Sequence, residues 1–343
     1  MSIKNWPGGR ISPTPPTPTG PYENGSASGV WTLDQVAYWL QQGLWPLAGN
    51  AAPLGLFAGG NEGIAGDSNI IDKLNIAALG NAVDFGDLTA SIRGAAGCGS
   101  STRGVFGGGS NSLNVNTNVI AYVTIASAGN ATDFGDLTDT RRLLGACSNY
   151  VRGLFAGGIA GAGNVNIIDY ITIASTGDAT DFGDLLSAIY GLSGLSSNTR
   201  GIFDGAAGPS NVIQYITISS TGNAIDFGDL TQARYYTANC ASSTRGLVAG
   251  GLAGAVSNII DYITIASVGN ATDFGDLTSE RQGAAGASSS TRGVFGGGAL
   301  AGSIYVNTVD YVTIASTGNA ADFGDLTVAR NLLASCSNAH GGI

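Results

Sequence analysis

Two carboxylates three residues apart recur six times, as Asp84 and Asp87, Asp133 and Asp136, Asp181 and Asp184, Asp226 and Asp229, Asp273 and Asp276, and Asp322 and Asp325, always inside Asp-Phe-Gly-Asp-Leu. Such a pair could coordinate Ca²⁺ through hard oxygen ligands or act as acid and base in hydrolysis. Asp beside Gly also suits turns, where its side chain accepts backbone N–H bonds. Six identical copies favour this structural use, with the pairs bonded to the arginines that recur one or two per repeat. Other catalytic groups are scarce. His340 is the sole histidine, so neither a Ser-His-Asp triad nor a multi-histidine metal site can be assembled in its usual form. The Asp-Phe-Gly string lacks the catalytic loop and nucleotide lysine of a kinase. The run Gly158-Ile-Ala-Gly-Ala-Gly lies between strands and is no dinucleotide fingerprint. Neither an enzyme nor a cofactor or metal is expected.

The elements that carry these acids repeat with them. The motif starts at residues 84, 133, 181, 226, 273 and 322, a period of 45 to 49 residues, which marks a propeller blade or a solenoid turn. One copy, read from Arg234, gives four short apolar runs: Arg234-Tyr-Tyr-Thr-Ala-Asn-Cys-Ala-Ser, Gly246-Leu-Val-Ala-Gly-Gly, Asn258-Ile-Ile-Asp-Tyr-Ile-Thr-Ile-Ala-Ser and Ala271-Thr-Asp-Phe-Gly-Asp-Leu. Turn residues separate them, and the third is rich in β-branched and aromatic residues. Four strands per repeat without helical periodicity predict a propeller.

Composition fits a packed β-protein. Of 343 residues 43% are hydrophobic, only 11% are charged and 55 are Gly, too apolar for a disordered chain. The net charge of −10 and a lysine set limited to Lys4 and Lys73 argue against a nucleic-acid partner. No apolar stretch approaches the roughly 20 residues that span a bilayer, so no membrane insertion is expected. The first ten residues lack the apolar core of an export signal, and folding in a cytoplasm is the expectation. Cys98, Cys147, Cys240 and Cys336 occupy one repeated place that Leu195 and Ala287 fill in the other copies. This is a packing position, and buried free thiols are expected rather than a metal or disulfide framework.

The order of these strands resembles the kelch repeat: an Arg-led strand, a strand ending in Gly-Gly, a strand carrying Tyr, then an aromatic and Leu. The Gly-Gly pairs are Gly59-Gly60, Gly108-Gly109, Gly157-Gly158, Gly250-Gly251 and Gly297-Gly298, with Gly205-Ala206 departing. Tyr122, Tyr170, Tyr215, Tyr262 and Tyr311 hold the Tyr place, and Lys73 replaces it in the first copy. Phe stands where the family has Trp. The resemblance implies a kelch-like β-propeller, all-β; copper radical oxidases of that class would need two His ligands that are missing here. The first Gly-Gly strand, in 55–60, lacks an Arg-led partner, and the last Arg-led strand lacks a following Gly-Gly strand. Residues 331–338 are therefore expected to pair with the first Gly-Gly strand and close a six-bladed ring spanning 51–343, which removes two open sheet edges.

Spacing is constant from each motif Asp to the next Arg, 19 residues in five copies, and from Tyr to Asp, 11 residues. Only the stretch from Arg to Tyr varies, between 15 and 19 residues. The variation falls in the loops 110–118, 159–166, 206–211, 252–258 and 299–308, which share one face of a propeller. Loops on a rigid scaffold often carry recognition. Asn111, Asn114, Asn164, Asn211, Ser257 and Tyr305 are the candidates there.

Residues 1–50 read as a separate arm. Eight of nine prolines lie in the first 53 residues, and Ser12-Pro-Thr-Pro-Pro-Thr-Pro-Thr-Gly predicts extended polyproline II within 1–30. Thr32-Leu-Asp-Gln35 forms a capping box, Trp31 and Val36 a hydrophobic staple, and Gly43 a stop, which predicts a helix over 33–42. So short a helix needs a docking surface. Trp31, Val36, Trp39, Leu40 and Trp45 are the candidate anchor, onto the protein's own disc or onto another chain.

The run Gly25-Ser-Ala-Ser-Gly-Val-Trp-Thr-Leu-Asp-Gln-Val-Ala-Tyr-Trp, with Gly43-Leu-Trp-Pro46, resembles the leader of structural proteins of tailed bacteriophages, notably those of marine bacteria and cyanobacteria. The Tyr-Ile-Thr-Ile-Ala-Ser-Thr-Gly repeat is similar to segments of such proteins. This resemblance implies a virion component of the tail, baseplate or fibre region, present in several copies, with other virion proteins and a host surface glycan or receptor as partners. A carbohydrate-binding lectin head and a capsid decoration protein are the alternatives.

Overall fold

The computed structural model describes residues 5–6, 9–10 and 52–343 apart from 209. Residues 1–52 and 53–343 form separate units. In the first, Asn5–Trp6 pairs antiparallel with Gly9–Arg10. The polyproline stretch, the helix over 33–42 and the anchor residues Trp31, Val36, Trp39, Leu40 and Trp45 lie outside the described residues.

The second unit is a six-bladed antiparallel β-propeller with kelch-like layout. Each blade has an inner, a second, a third and an outer strand. Blade 2 comprises Ala96–Gly99, Arg103–Gly107, Val119–Thr124 and Thr132–Asp136. Blade 3 comprises Gly145–Ser148, Arg152–Ala156, Ile167–Thr172 and Thr180–Asp184. Blades 4 and 5 follow from Ser193–Ser196 and Ala238–Ala241, and blade 6 from Ala285–Ser288 to Ala321–Asp325. Blade 1 is the closure. The last strand, Ala334–Ser337, pairs with Leu54–Ala58 in the register Leu56↔Cys336 and Phe57↔Ser335, and Ile70–Asn75 and Val83–Asp87 complete the sheet. The Asn338 side chain continues the latch by accepting from Leu54 N at 2.7 Å. The expected closure is the one observed.

Second strands are buried after their leading residue, because each blade is sandwiched between two others, and apolar residues or Gly fill them except at Asp204. The core accordingly consists of six clusters. One joins Leu56 and Ile71 of blade 1 to Phe106, Ala121 and Val123 of blade 2. The four cysteines are free and buried. Each packs on the Gly of the Arg-Gly step of the next blade: a Cβ on Gly153 would lie 2.6 Å from Cys98 Sγ, and one on Gly201 2.6 Å from Cys147 Sγ.

The outer rim shows what Asp-Phe-Gly-Asp does. Phe85 O accepts from Gly129 N, Asp87 O accepts from Ala131 N, and Asp87 N donates to Asn130 Oδ1, so the outer strand of one blade clasps the turn entering the outer strand of the next. The Gly N–H to Phe O bonds span 2.7–3.0 Å around all six blades. The closing clasp runs from Phe323 and Asp325 to Gly80, Asn81 and Ala82. Gly86 must be glycine: its φ is +146°, and a Cβ would strike Gly129 O. The predicted pairing of these carboxylates with arginines does not occur among the described residues; Asp84 Oδ1 instead accepts from Gly86 N at 3.2 Å. The strand-leading arginines are committed elsewhere. Arg103, Arg152, Arg200, Arg245 and Arg292 lie 4.5–4.8 Å from the centroids of Tyr122, Tyr170, Tyr215, Tyr262 and Tyr311, a cation–π stack. Each also donates at 2.9 Å to an Ile carbonyl of the following blade.

Candidate binding face

Antiparallel order places the loops between second and third strands, with the connectors from each outer strand to the next inner strand, on one face of the disc. Connector and loop of one blade are joined by backbone bridges, as in Arg93↔Ser110, Arg142↔Ile159, Tyr235↔Leu252 and Gln282↔Ala299. The loops are thereby bonded to the connectors beside them.

The six candidate residues spread around that face rather than converging. Asn111 Oδ1 accepts from Leu113 N and Val115 N, both at 3.0 Å, and shapes its own loop. Asn114, in the left-handed region at φ 58°, accepts from Arg93 Nη2 at 2.8 Å. Asn164 is exposed in a two-residue ladder with Ile159. Asn211 is half-buried and its carbonyl accepts from Leu230 N. Ser257 is buried, with its hydroxyl accepting from Ile259 N. Tyr305 is half-buried, and its ring closes on the loop of blade 1, 3.2 Å from where a Cβ of Gly63 would stand.

Beneath the loops lies a layer of buried ion pairs that sequence reasoning missed. Arg141–Asp169, Arg234–Asp261, Arg281–Asp310 and Arg330–Asp72 are 2.7–2.9 Å apart with both side chains fully buried. Each carboxylate lies on a third strand and also accepts from a Thr N–H and hydroxyl, as Asp169 does from Thr138. Arg141 further donates to Ile167 O and Phe155 O. Burial lowers the pKa of all four guanidinium groups, and the facing Asp opposes that shift. The four Nε atoms have no hydrogen-bond partner, so the pairs are not fully satisfied. Blade 2 has Ile92 and Ala121 at the two positions, and blade 4 has Ile189 and Gln214. Arginine and carboxylate are lost together, a signal that was readable in the chain.

Nearer the axis the six connectors form a closed ring of backbone bonds. Gly94 N donates to Leu332 O, Leu143 N to Gly94 O, Gly191 N to Leu143 O, Tyr236 N to Gly191 O, Gly283 N to Tyr236 O and Leu332 N to Gly283 O, all at 2.7–2.9 Å. All six residues have positive φ. Large and absent side chains alternate because each large one covers the preceding glycine: a Cβ on Gly191 would lie 3.0 Å from Tyr236. Tyr236 packs against Tyr235 with ring centroids 4.7 Å apart and planes tilted by 56°, near Tyr190, and burial pushes its pKa up to about 12.

Inner strands of all blades line an axial cavity of about 130 Å³. On the face opposite the loops the chain end closes it. Gly341 N donates to Ala241 O. His340 Nδ1 accepts from Gly342 N, which leaves the proton on Nε2, 3.1 Å from Gly99 O. Burial lowers the pKa of this imidazole to about 4. Between blades 4 and 5, Asp204 replaces the Ala or Gly of sister strands and is held by Asn239 and Thr237. Burial raises its pKa to about 7, with the Asn239 bond chief among the opposing effects. Among the described residues, no three His, Cys, Asp or Glu side chains converge as a metal site.

No family model matches the chain, and no curated protein matches it either.

Proposed function

We propose that this chain is a non-enzymatic component of a tailed-bacteriophage particle, of the tail, baseplate or fibre region. Residues 1–50 attach it to other structural subunits, and the propeller serves as an interaction or host-surface-binding head. One observation carries the head reading: loop length varies only on one face, and three adjacent blades there present Ile304, Ile64, Leu113 and Val115, exposed by 60%, 109%, 80% and 59%. Apolar side chains exposed on neighbouring loops of one face suit an interaction site. The rim and the opposite turns keep a constant length instead, and the apolar side chains exposed there, such as Leu79, Val268 and Ile225, stand singly. The resemblance of the leader and of the repeat to phage structural proteins supports the particle.

The test uses assembled particles. A chain carrying Ile64→Ser, Leu113→Ser and Ile304→Ser should melt as the parent does, and its particles should lose adsorption to host cells; unchanged adsorption contradicts the head reading. Trp31→Ala with Trp39→Ala should abolish incorporation while the propeller stays folded.

A lectin head is the second reading, favoured by the Tyr190, Tyr235 and Tyr236 cluster beside the shortest loop, 206–211. Aromatic faces suit sugar rings. A glycan array that binds the parent and not Tyr235→Ala would select it.

A further inference from the structure

Blade 2 differs from its sisters in the layer directly beneath the loop face, and the difference leaves a cavity. In blades 1, 3, 5 and 6 this space holds a buried arginine. In blade 3, Arg141 crosses it to reach Phe155 O, Ile167 O and Asp169. In blade 2 the arginine is Ile92 and the carboxylate Ala121, and a cavity of about 310 Å³ opens between the connector 88–92 and the loop segment 115–119. Blade 4 also lacks the pair, but there Gln214 Oε1 takes the Leu186 N–H in place of the carboxylate.

The walls define what fits. Leu88, Ile92, Phe106, Val115, Val119 and Ala121 make the lining mainly apolar. An apolar cavity of about 150 Å³ already admits benzene, so this one has room for a fused bicyclic ring. Two lining residues, Phe106 and Val119, bear the carbonyls equivalent to Phe155 O and Ile167 O. Val119 O accepts from Gly108 N as Ile167 O does from Gly157 N, and the arginine that would use its remaining lone pair is absent. Thr89, whose counterpart Thr138 is spent on Asp169, also borders the cavity. With Ala121 in place of the carboxylate, a cationic guest would be buried without a counter-ion, at a cost of several kcal/mol. A neutral N–H or O–H donor meets no such penalty.

The outer wall is fixed in advance. Asn116 Nδ2 donates to Ile159 O at 2.9 Å, and Asn116 Oδ1 accepts from Arg142 Nη1 at 2.8 Å. Asn111 caps the turn before it. A preformed wall removes most of the ordering cost of binding.

We propose that this cavity is a binding site for a compact aromatic ligand carrying one neutral hydrogen-bond donor, the chemistry of indole and phenol. The site uses the room and the acceptors that an arginine uses in the sister blades. It stands independently of any role in a particle.

Calorimetric titration of the full chain with indole tests it. Indole binds saturably, one per chain, at sub-millimolar concentration. Indene, the same ring system without the N–H, binds at least about 10-fold more weakly, as one lost hydrogen bond to a buried acceptor requires. Ile92→Arg with Ala121→Asp rebuilds the sister pattern and abolishes binding. Ala121→Leu, which only fills volume, weakens it at least about 10-fold and keeps the test decisive if the double variant does not fold. Absence of saturable binding up to millimolar indole overturns the proposal, as does unchanged affinity in folded Ala121→Leu. Equal affinity for indene and indole overturns the assignment of a donor-bearing ligand.

Discussion

The rim and the ion-pair layer beneath the loops are both built six times, yet only the rim is uniform. At the rim, the bonds between blades run through backbone N–H and C=O groups and one Asn or Asp side chain, and Asp-Phe-Gly-Asp-Leu recurs unchanged. In the inner layer the bonds run through side chains, and two of six blades have exchanged the pair for Ile92 with Ala121 or Ile189 with Gln214. Where backbone meets backbone, no second substitution can compensate for an added Cβ. Where an incompletely satisfied ion pair is buried, removing both partners costs little, because desolvation offsets most of the attraction. Variation therefore concentrates under the loop face, and the propeller gains distinct local chemistry there without loss of the ring.

This contrast can be broken by mutation. Asp169→Ala strands the buried Arg141 and should destabilise the propeller by about 3–5 kcal/mol, read from chemical denaturation. Arg141→Ile with Asp169→Ala, the pattern of blade 2, should recover most of that loss; a double variant as unstable as the single one would contradict the account of the inner layer. Gly135→Ala at the rim should cost about 1–3 kcal/mol. A Cβ there lies 2.5 Å from Gly177 C, and no change in the facing side chains should rescue it.

The effects of pH arise at two buried groups and have opposite signs. His340 is neutral in the folded state with its pKa lowered to about 4, so only the unfolded chain takes up its proton between the ordinary histidine range and pH 4. Its contribution is complete above about pH 6.5 and falls as the pH drops toward 4. Asp204, raised to about 7, holds a proton that the unfolded chain releases. Its contribution therefore grows on acidification from 7 toward 4. His340→Gln should remove the loss on acidification and Asp204→Asn the gain, each visible in melting temperature across pH 4–8.

Much of this architecture is legible in the chain itself. Counting Gly-Gly and Arg-led strands predicts both six blades and the latch, because the first Gly-Gly strand and the last Arg-led strand each lack a partner that the other supplies. The role of the repeated acids was legible in part: Asp beside Gly suggests a side chain that accepts a backbone N–H, as Asp84 does from Gly86. Their spacing suggests charge pairing, whereas what is selected is the backbone of Gly135 and Asp136, which side-chain chemistry does not reveal. The Arg–Asp layer left a trace, the joint loss of Arg and Asp at 92 with 121 and at 189 with 214, but the partners are far apart in sequence. The ring at the axis was hidden for a different reason. It places Leu143, Tyr236 and Leu332 at positive φ, against the preference of every residue with a bulky side chain. The blade 2 cavity depends on how a loop folds back over two small substitutions, and local sequence carries no sign of that.

The central claim is that the last strand completes the first blade and bears as much of the fold as any internal strand. Native-state hydrogen exchange of the intact chain measures this directly. The amides of Ala334–Ser337 and Leu54–Ala58 should be protected to the same free energy as those of Gly145–Ser148 and Arg152–Ala156. Exchange at 334–337 that is faster by orders of magnitude, with blade 3 still protected, would show an open ring and contradict the account.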